Sequence, residues 1–150
     1  MAIRFEPRIG QLLECNFGDY RLEQGGTCSS RFDFRLRPEM VKHRLVVVIN
    51  SKINSNACIV VPLSTTKDMH KAGRGWHVHL PADLIQDLPY FKQQERWAKA
   101  DLVAQVSRER LFKPRALNRG YLDQVLDREL IERIQRAMVK VINAGSLLKN

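Results

Sequence analysis

No apolar run in this sequence approaches the roughly 20 residues that a membrane-spanning helix needs, so no such span is expected. The opening residues, Met1-Ala2-Ile3-Arg4-Phe5-Glu6-Pro7, have no apolar stretch of the kind that marks a secretory leader. Cysteine is sparse. Cys15, Cys28 and Cys58 have no metal-like spacing and, being three, cannot all pair. Cys15 and Cys58 fall in strand-like runs, which points to reduced, buried thiols in a cytoplasmic protein. His77 and His79 share one face of a strand, but no Asp, Glu or Cys lies near them in sequence, so neither a metal nor a cofactor is expected. Internal repeats and low-complexity tracts are absent.

Acidic residues are also short in number: 16 Asp and Glu stand against 25 Lys and Arg, a formal net charge of +9 with a pI near 9.9. That balance favours a polyanionic partner. Basic residues recur at Arg31, Arg35, Arg37, Lys42 and Arg44, then at Arg108, Arg110, Lys113, Arg115 and Arg119.

The chain is 150 residues long and 44% hydrophobic, which predicts one domain (1–150) with a modest core. Leu13, Cys15 and Phe17 alternate with Glu14 and Asn16, as in a half-buried first strand. Gly18 to Glu39 reads as a long polar loop. His43 to Asn50 and Ala57 to Leu63 are uncharged, β-branched runs that predict strands buried on both faces. If they pair antiparallel through Ser51–Asn56, Arg44 arrives beside Ser64, Thr65 and Thr66. Pro62 fits a strand end or edge. Lys67 to Gly75 reads as a second polar loop and Trp76 to Leu80 as a short strand. Pro81 to Gln94 reads as irregular, Arg96 to Val103 as a further strand, and Ser107 as the cap of a helical turn. Leu130, Ile131, Ile134, Ala137, Met138, Val141 and Ile142 recur at helical spacing, with Asp127 as N-cap and Gly145 as stop. Strands with long loops followed by one amphipathic helix predict an α+β fold, a small curled sheet or barrel with the helix packed on it.

Four pieces in order carry a family resemblance: Gly10 to Phe17, Pro38 to Ile49, Val60 to Thr66, and Trp97 to Val103 continuing to Val106-Ser107 and Leu111. The sequence resembles the PemK/MazF family of type II toxin–antitoxin ribonucleases over roughly residues 9 to 145. The resemblance implies a small SH3-like antiparallel β-barrel with a C-terminal helix, usually a homodimer. It further implies metal-independent cleavage of single-stranded RNA to 2′,3′-cyclic phosphate and 5′-hydroxyl ends, blocked by an acidic antitoxin encoded alongside. Leu45 stands where the family usually has proline after the arginine, and the two long loops exceed those of compact members.

Cleavage by the substrate's own 2′-hydroxyl needs a base, an acid, and support for the extra negative charge. The resemblance assigns Arg44 to catalysis, and a guanidinium stays charged and matches two phosphate oxygens at once. Ser64 can donate a hydroxyl hydrogen bond. Lys99 and Asp101, two apart in a predicted strand, project to one face and form a possible acid/base pair, for which Asp101 would need a raised pKa. Arg37, Lys42, His43, Thr65, Thr66, Lys67, Arg74 and His77 are the expected RNA contacts, in a groove shaped by the 18–42 and 67–75 loops. Alternation points His43 away from Arg44. Two other readings share the barrel: a nucleic-acid-binding module without turnover, and a gyrase-targeting toxin. The latter type depends on aromatic residues at the extreme C-terminus, and none occurs in Ser146-Leu147-Leu148-Lys149-Asn150.

Overall fold

The computed structural model describes residues 1–21 and 34–149. Most of the expected 18–39 loop, with Cys28 and Arg31, lies outside the described residues. Seven strands form one antiparallel sheet: β1 (Leu12–Asn16), β2 (His43–Asn54), β3 (Ala57–Ser64), β4 (His77–Leu80), β5 (Arg96–Lys99), β6 (Ala104–Ser107) and β7 (Leu111–Phe112). Among the described residues, two α-helices, α1 (Met69–Gly73) and α2 (Arg128–Val141), and three short 3-10 turns accompany the sheet. The sheet runs β4-β5-β3-β2-β1-β7, with β6 paired to β3 off that path. Among the described residues no pairing joins β4 to β7, so the closed barrel expected from sequence is here an open, branched sheet.

The branch lies on β3. One edge of β3 pairs with β2, while the other pairs with β6 from Ala57 to Val60 and with β5 at Leu63 and Ser64. Pro62 sits in the interval where that outer edge changes partner, a place where a missing N–H costs little. The two strands read from sequence do pair antiparallel, with Val46 opposite Pro62 and Val48 opposite Val60. The hairpin is longer than expected: β2 continues to Asn54, and Ser55-Asn56 alone makes the turn. Both faces of the pair are buried. Leu45, Val47 and Ile49 join one apolar cluster, and Val46 and Val48 join a second with Leu13, Cys15 and Phe17. Burial with little hydration pushes the Cys15 thiol up to about 12 and the Cys58 thiol upward as well.

Helix α2 covers the first cluster with Leu130, Ile131, Ile134 and Ala137. Its N-cap is Asp127, whose carboxylate accepts the Leu130 N–H at 2.8 Å. The helix stops sooner than the sequence predicts. Ile142 is the C-cap and 70% exposed rather than part of the apolar face, and Asn143 turns left-handed (φ 61°) before Gly145 is reached.

Two further expectations change. The 67–75 loop contains helix α1, capped by Asp68, which accepts the Lys71 N–H at 3.0 Å. The predicted strand Arg96 to Val103 breaks at Lys99 into a 3-10 turn over Ala100–Leu102, and a separate strand resumes at Ala104. The helical turn after Ser107 is present as a 3-10 turn, with Ser107 Oγ accepting the Glu109 N–H at 3.2 Å.

Candidate functional site

The β2–β3 register, carried two residues beyond the Val46–Pro62 pair, brings Arg44 opposite Ser64. Both line a cleft of about 420 Å³ together with His43, Thr65, Lys92 and Arg96. The Arg44 Nε donates to the Val41 carbonyl at 3.1 Å. Its two terminal NH2 groups have no protein acceptor among the described residues, so the fork of the guanidinium remains open to a ligand. Ser64 Oγ accepts the Thr66 N–H at 3.1 Å. A hydroxyl that accepts in this way still has its own proton to donate.

His43 is exposed and lines the same cleft, contrary to the alternation argument. Its Nδ1 lies 2.7 Å from Glu14 Oε1 across the β1–β2 pair. An ionised carboxylate can only accept, so Nδ1 carries a proton towards Glu14, and in the neutral ring the lone pair is on Nε2. Sequence reading had no route to this pair, because Glu14 is 29 positions away.

Arg96 is a further cleft residue that sequence reading left as a plain strand residue. It is 4% exposed and has no carboxylate partner among the described residues. Its guanidinium donates instead to the carbonyls of Lys92 at 2.7 Å and Gln94 at 3.4 Å, fixing the 92–94 segment as a wall of the cleft. Burial lowers its pKa, yet the arginine value starts so high that the charge persists. The cleft wall is therefore the 90–96 segment, not the 67–75 loop. Phe34, Arg35 and Glu39 line a different cavity with Arg110.

Lys99 and Asp101 stand apart from this cleft. Ser64 pairs with Trp97 and Leu63 with Ala98, which puts Lys99 roughly 10 Å farther along β5 than Arg96. The 3-10 turn ends the strand alternation, so the two residues do not form the expected pair. Asp101 turns to Lys71 Nζ at 2.8 Å and His77 Nε2 at 2.7 Å. Burial pushes its carboxyl up, but the hydrogen bonds from Lys71 and His77 outweigh that and hold it below the usual carboxylate range. A base with a raised pKa is thus not what Asp101 has become. His77, expected as an RNA contact, has a side chain only 1% exposed and is committed to Asp101.

The other expected contacts are dispersed. Thr66 and Lys67 are exposed just beyond the cleft rim, and Lys42 is exposed at a left-handed turn (φ 69°). Arg37 stacks over the Tyr20 ring at 4.6 Å, and Arg74 over Trp76 at 5.1 Å. No three His, Cys, Asp or Glu side chains converge among the described residues.

Comparison with known proteins agrees with this architecture. A family model described as the PemK-like, MazF-like toxin of type II toxin–antitoxin systems matches residues 23–142. The uncharacterized protein YifN of Escherichia coli (strain K12) is 58% identical over 149 residues, 99% of each chain. An uncharacterized protein of Haemophilus influenzae is 36% identical over 143 residues, 95% of this chain and 94% of that one. Among solved structures, MazF from Deinococcus radiodurans superposes with a TM-score of 0.55 over 93% of this chain and 98% of the other, at 14% identity, a likeness of fold.

Proposed function

The chain belongs to the PemK-like, MazF-like toxins of type II toxin–antitoxin systems, and from that premise we propose that it is a metal-independent endoribonuclease that cuts single-stranded RNA at the Arg44 cleft. The observation that supports this reading most is the meeting of Arg44 and Ser64 in one cleft, a cation with an open fork beside a hydroxyl with a free proton. Such a pair suits a phosphodiester whose negative charge grows in the transition state.

The chemistry follows from that placement. The 2′-oxygen of the substrate attacks the adjacent phosphorus in line with the P–O5′ bond. His43 Nε2 accepts the 2′-hydroxyl proton, and Glu14 holds the ring and balances the imidazolium. Arg44 and Ser64 bind the two non-bridging oxygens. The P–O5′ bond breaks and the leaving oxygen takes a proton from water in the open cleft, giving a 2′,3′-cyclic phosphate and a 5′-hydroxyl. Lys99 and Asp101 belong to the support of the β4–β5 edge in this scheme rather than to the reacting atoms. Thr65, Thr66, Lys67 and Lys42 meet flanking phosphates.

The reading carries the rest of the family picture with it: a single domain, an open variant of the SH3-like barrel, a cytoplasmic homodimer, and an acidic antitoxin that covers the cleft. Among the described residues no helix is long and apolar enough to cross a membrane. The test is incubation of purified protein with single-stranded RNA in EDTA. Fragments with 5′-hydroxyl and cyclic-phosphate ends are expected. Tight RNA binding with intact RNA would replace the enzyme by a binding module.

A further inference from the structure

A second depression, about 430 Å³, opens beside the Arg44 cleft. It is built by the N-terminal segment, by β7 and by the loop that follows β7. The two are continuous: His43 and Tyr90 line both, and a smaller hollow formed by Glu14, His43, Tyr90 and Phe91 links them.

Two features of this surface are unusual for a region that only packs. Its aromatic rings stand in solvent, with Tyr90 73%, Tyr121 58% and Phe5 36% exposed. Exposed rings in one concave patch mark a binding surface. Its charge is also one-sided. Arg4, Lys113 and Arg115 line it without a carboxylate partner among the described residues, and its one acid, Glu14, is held by His43 at 2.7 Å. Lys113 Nζ sits 5.2 Å from the Phe5 ring, so cation and ring alternate at close range.

The surface is also held in shape by backbone bonds. Ile3 N–H donates to the Leu111 carbonyl at 2.9 Å, which lays the N-terminal segment along β7. Arg115 and Tyr121 face each other in an antiparallel bridge, closed by Ala116 N–H to Gly120 O at 2.9 Å and Leu122 N–H to Pro114 O at 2.8 Å. A basic and an aromatic side chain are thus presented side by side on a hydrogen-bonded loop.

We propose that this aromatic and basic track, from His43 over Tyr90 to Tyr121, binds the single-stranded RNA that flanks the cut on one side. Bases stack on Tyr90 and Tyr121, and phosphates meet Arg4, Lys113 and Arg115. Alternating rings and unpaired cations match a strand in which bases alternate with phosphates. The track deepens the reading of the Arg44 cleft and rests on it for the position of the cut.

The test uses the full chain and mixed-sequence 2′-O-methyl RNAs, one short and one long, which cannot be cut. Affinity is read by fluorescence anisotropy, alongside cleavage of unmodified RNA. The long RNA should bind the wild type more tightly than the short one. Tyr121→Ala should weaken the long RNA about tenfold and leave the short one unchanged, with Tyr121→Phe restoring binding. Arg115→Ala should lower the salt slope of long-RNA binding by about one. Wild-type affinity for the long RNA in both Ala variants overturns the track while the cleavage reading stands. A change of oligomeric state in Tyr121→Ala with RNA affinity intact also overturns it, in favour of a second copy as occupant. Track-dependent binding by a protein that never cuts RNA upholds the track and removes the enzyme.

Discussion

Asp101 and His77 face each other at 2.7 Å, Oδ1 to Nε2, where the turn that ends β5 meets β4. The carboxylate accepts the Nε2 proton, and Nδ1 is buried and without a partner among the described residues. Lys71 closes the other carboxylate oxygen at 2.8 Å. Helix α1, the β4–β5 edge and the 3-10 turn are therefore joined through one side chain.

That junction sets a pH dependence. The folded-state pKa of Asp101 lies below the usual carboxylate value, because its two hydrogen bonds outweigh burial. Its contribution is present above the unfolded value of about 3.9 and is lost as pH falls through the lower folded one. Hydrogen bonding to Asp101 raises the Lys71 pKa, so that contribution is present below about 10.4 and is lost as pH rises through the raised value. Asp101→Asn should cost about 1–3 kcal/mol at pH 7, and the cost should shrink below pH ~4. Urea melts across pH 3–8 would read this. A penalty that stays constant into the acid range contradicts it.

Arg44 tests the cleft itself. Arg44→Ala should lower kcat by about 10² to 10³, the scale of losing one preorganised charge donor. Arg44→Lys keeps the charge but not the fork and should recover only part of that loss. Among the described residues the side chain makes one backbone bond, to Val41, so stability should change by about 1 kcal/mol at most. Single-turnover cleavage in EDTA, with a melt on the same samples, separates the two effects. Unchanged cleavage in Arg44→Ala would remove the centre of the mechanism.

The parts of this molecule that were legible in the sequence are those encoded by short-range pattern. The β2–β3 pair, the Asp127 cap and the α2 face are read from neighbouring residues, and the pair alone fixes Arg44 opposite Ser64. What sequence reading missed depends on partners far along the chain. His43 is oriented by Glu14 in another strand, and Lys71 lies in a helix of five residues, too short to show a period. Asp101 left the expected face because the backbone turns at Ala100, where Val103 N–H bonds to Ala100 O at 3.2 Å. Arg96 looks like a surface residue because arginine is seldom fully buried, and the carbonyls of Lys92 and Gln94 make its burial tolerable.

Arg96 yields a third prediction. Arg96→Met keeps most of the volume and leaves the Lys92 and Gln94 carbonyls without their donor. The protein should lose about 1–3 kcal/mol. Amide exchange should speed up in the 92–95 segment while α2 keeps its protection. If the segment exchanges as in the wild type, Arg96 is not what holds the cleft wall.

Gly10 joins the N-terminal segment to the core at the point where β2, the 124–126 strand-like stretch and α2 meet. Its N–H donates to the Val48 carbonyl at 2.7 Å and its carbonyl accepts the Leu126 N–H at 2.9 Å. Its φ of +88° lies in the left-handed region, and a Cβ there would run into Ile131 and lie 3.1 Å from the Leu126 carbonyl oxygen. Gly10→Ala therefore meets both a backbone penalty and a clash with α2, together about 2–4 kcal/mol. Shortening the neighbour should relieve only the steric part, so Gly10→Ala with Ile131→Val should be less destabilised than the sum of the single variants. A double-mutant cycle by urea denaturation measures this, and strict additivity would show that the Ile131 contact does not limit the site.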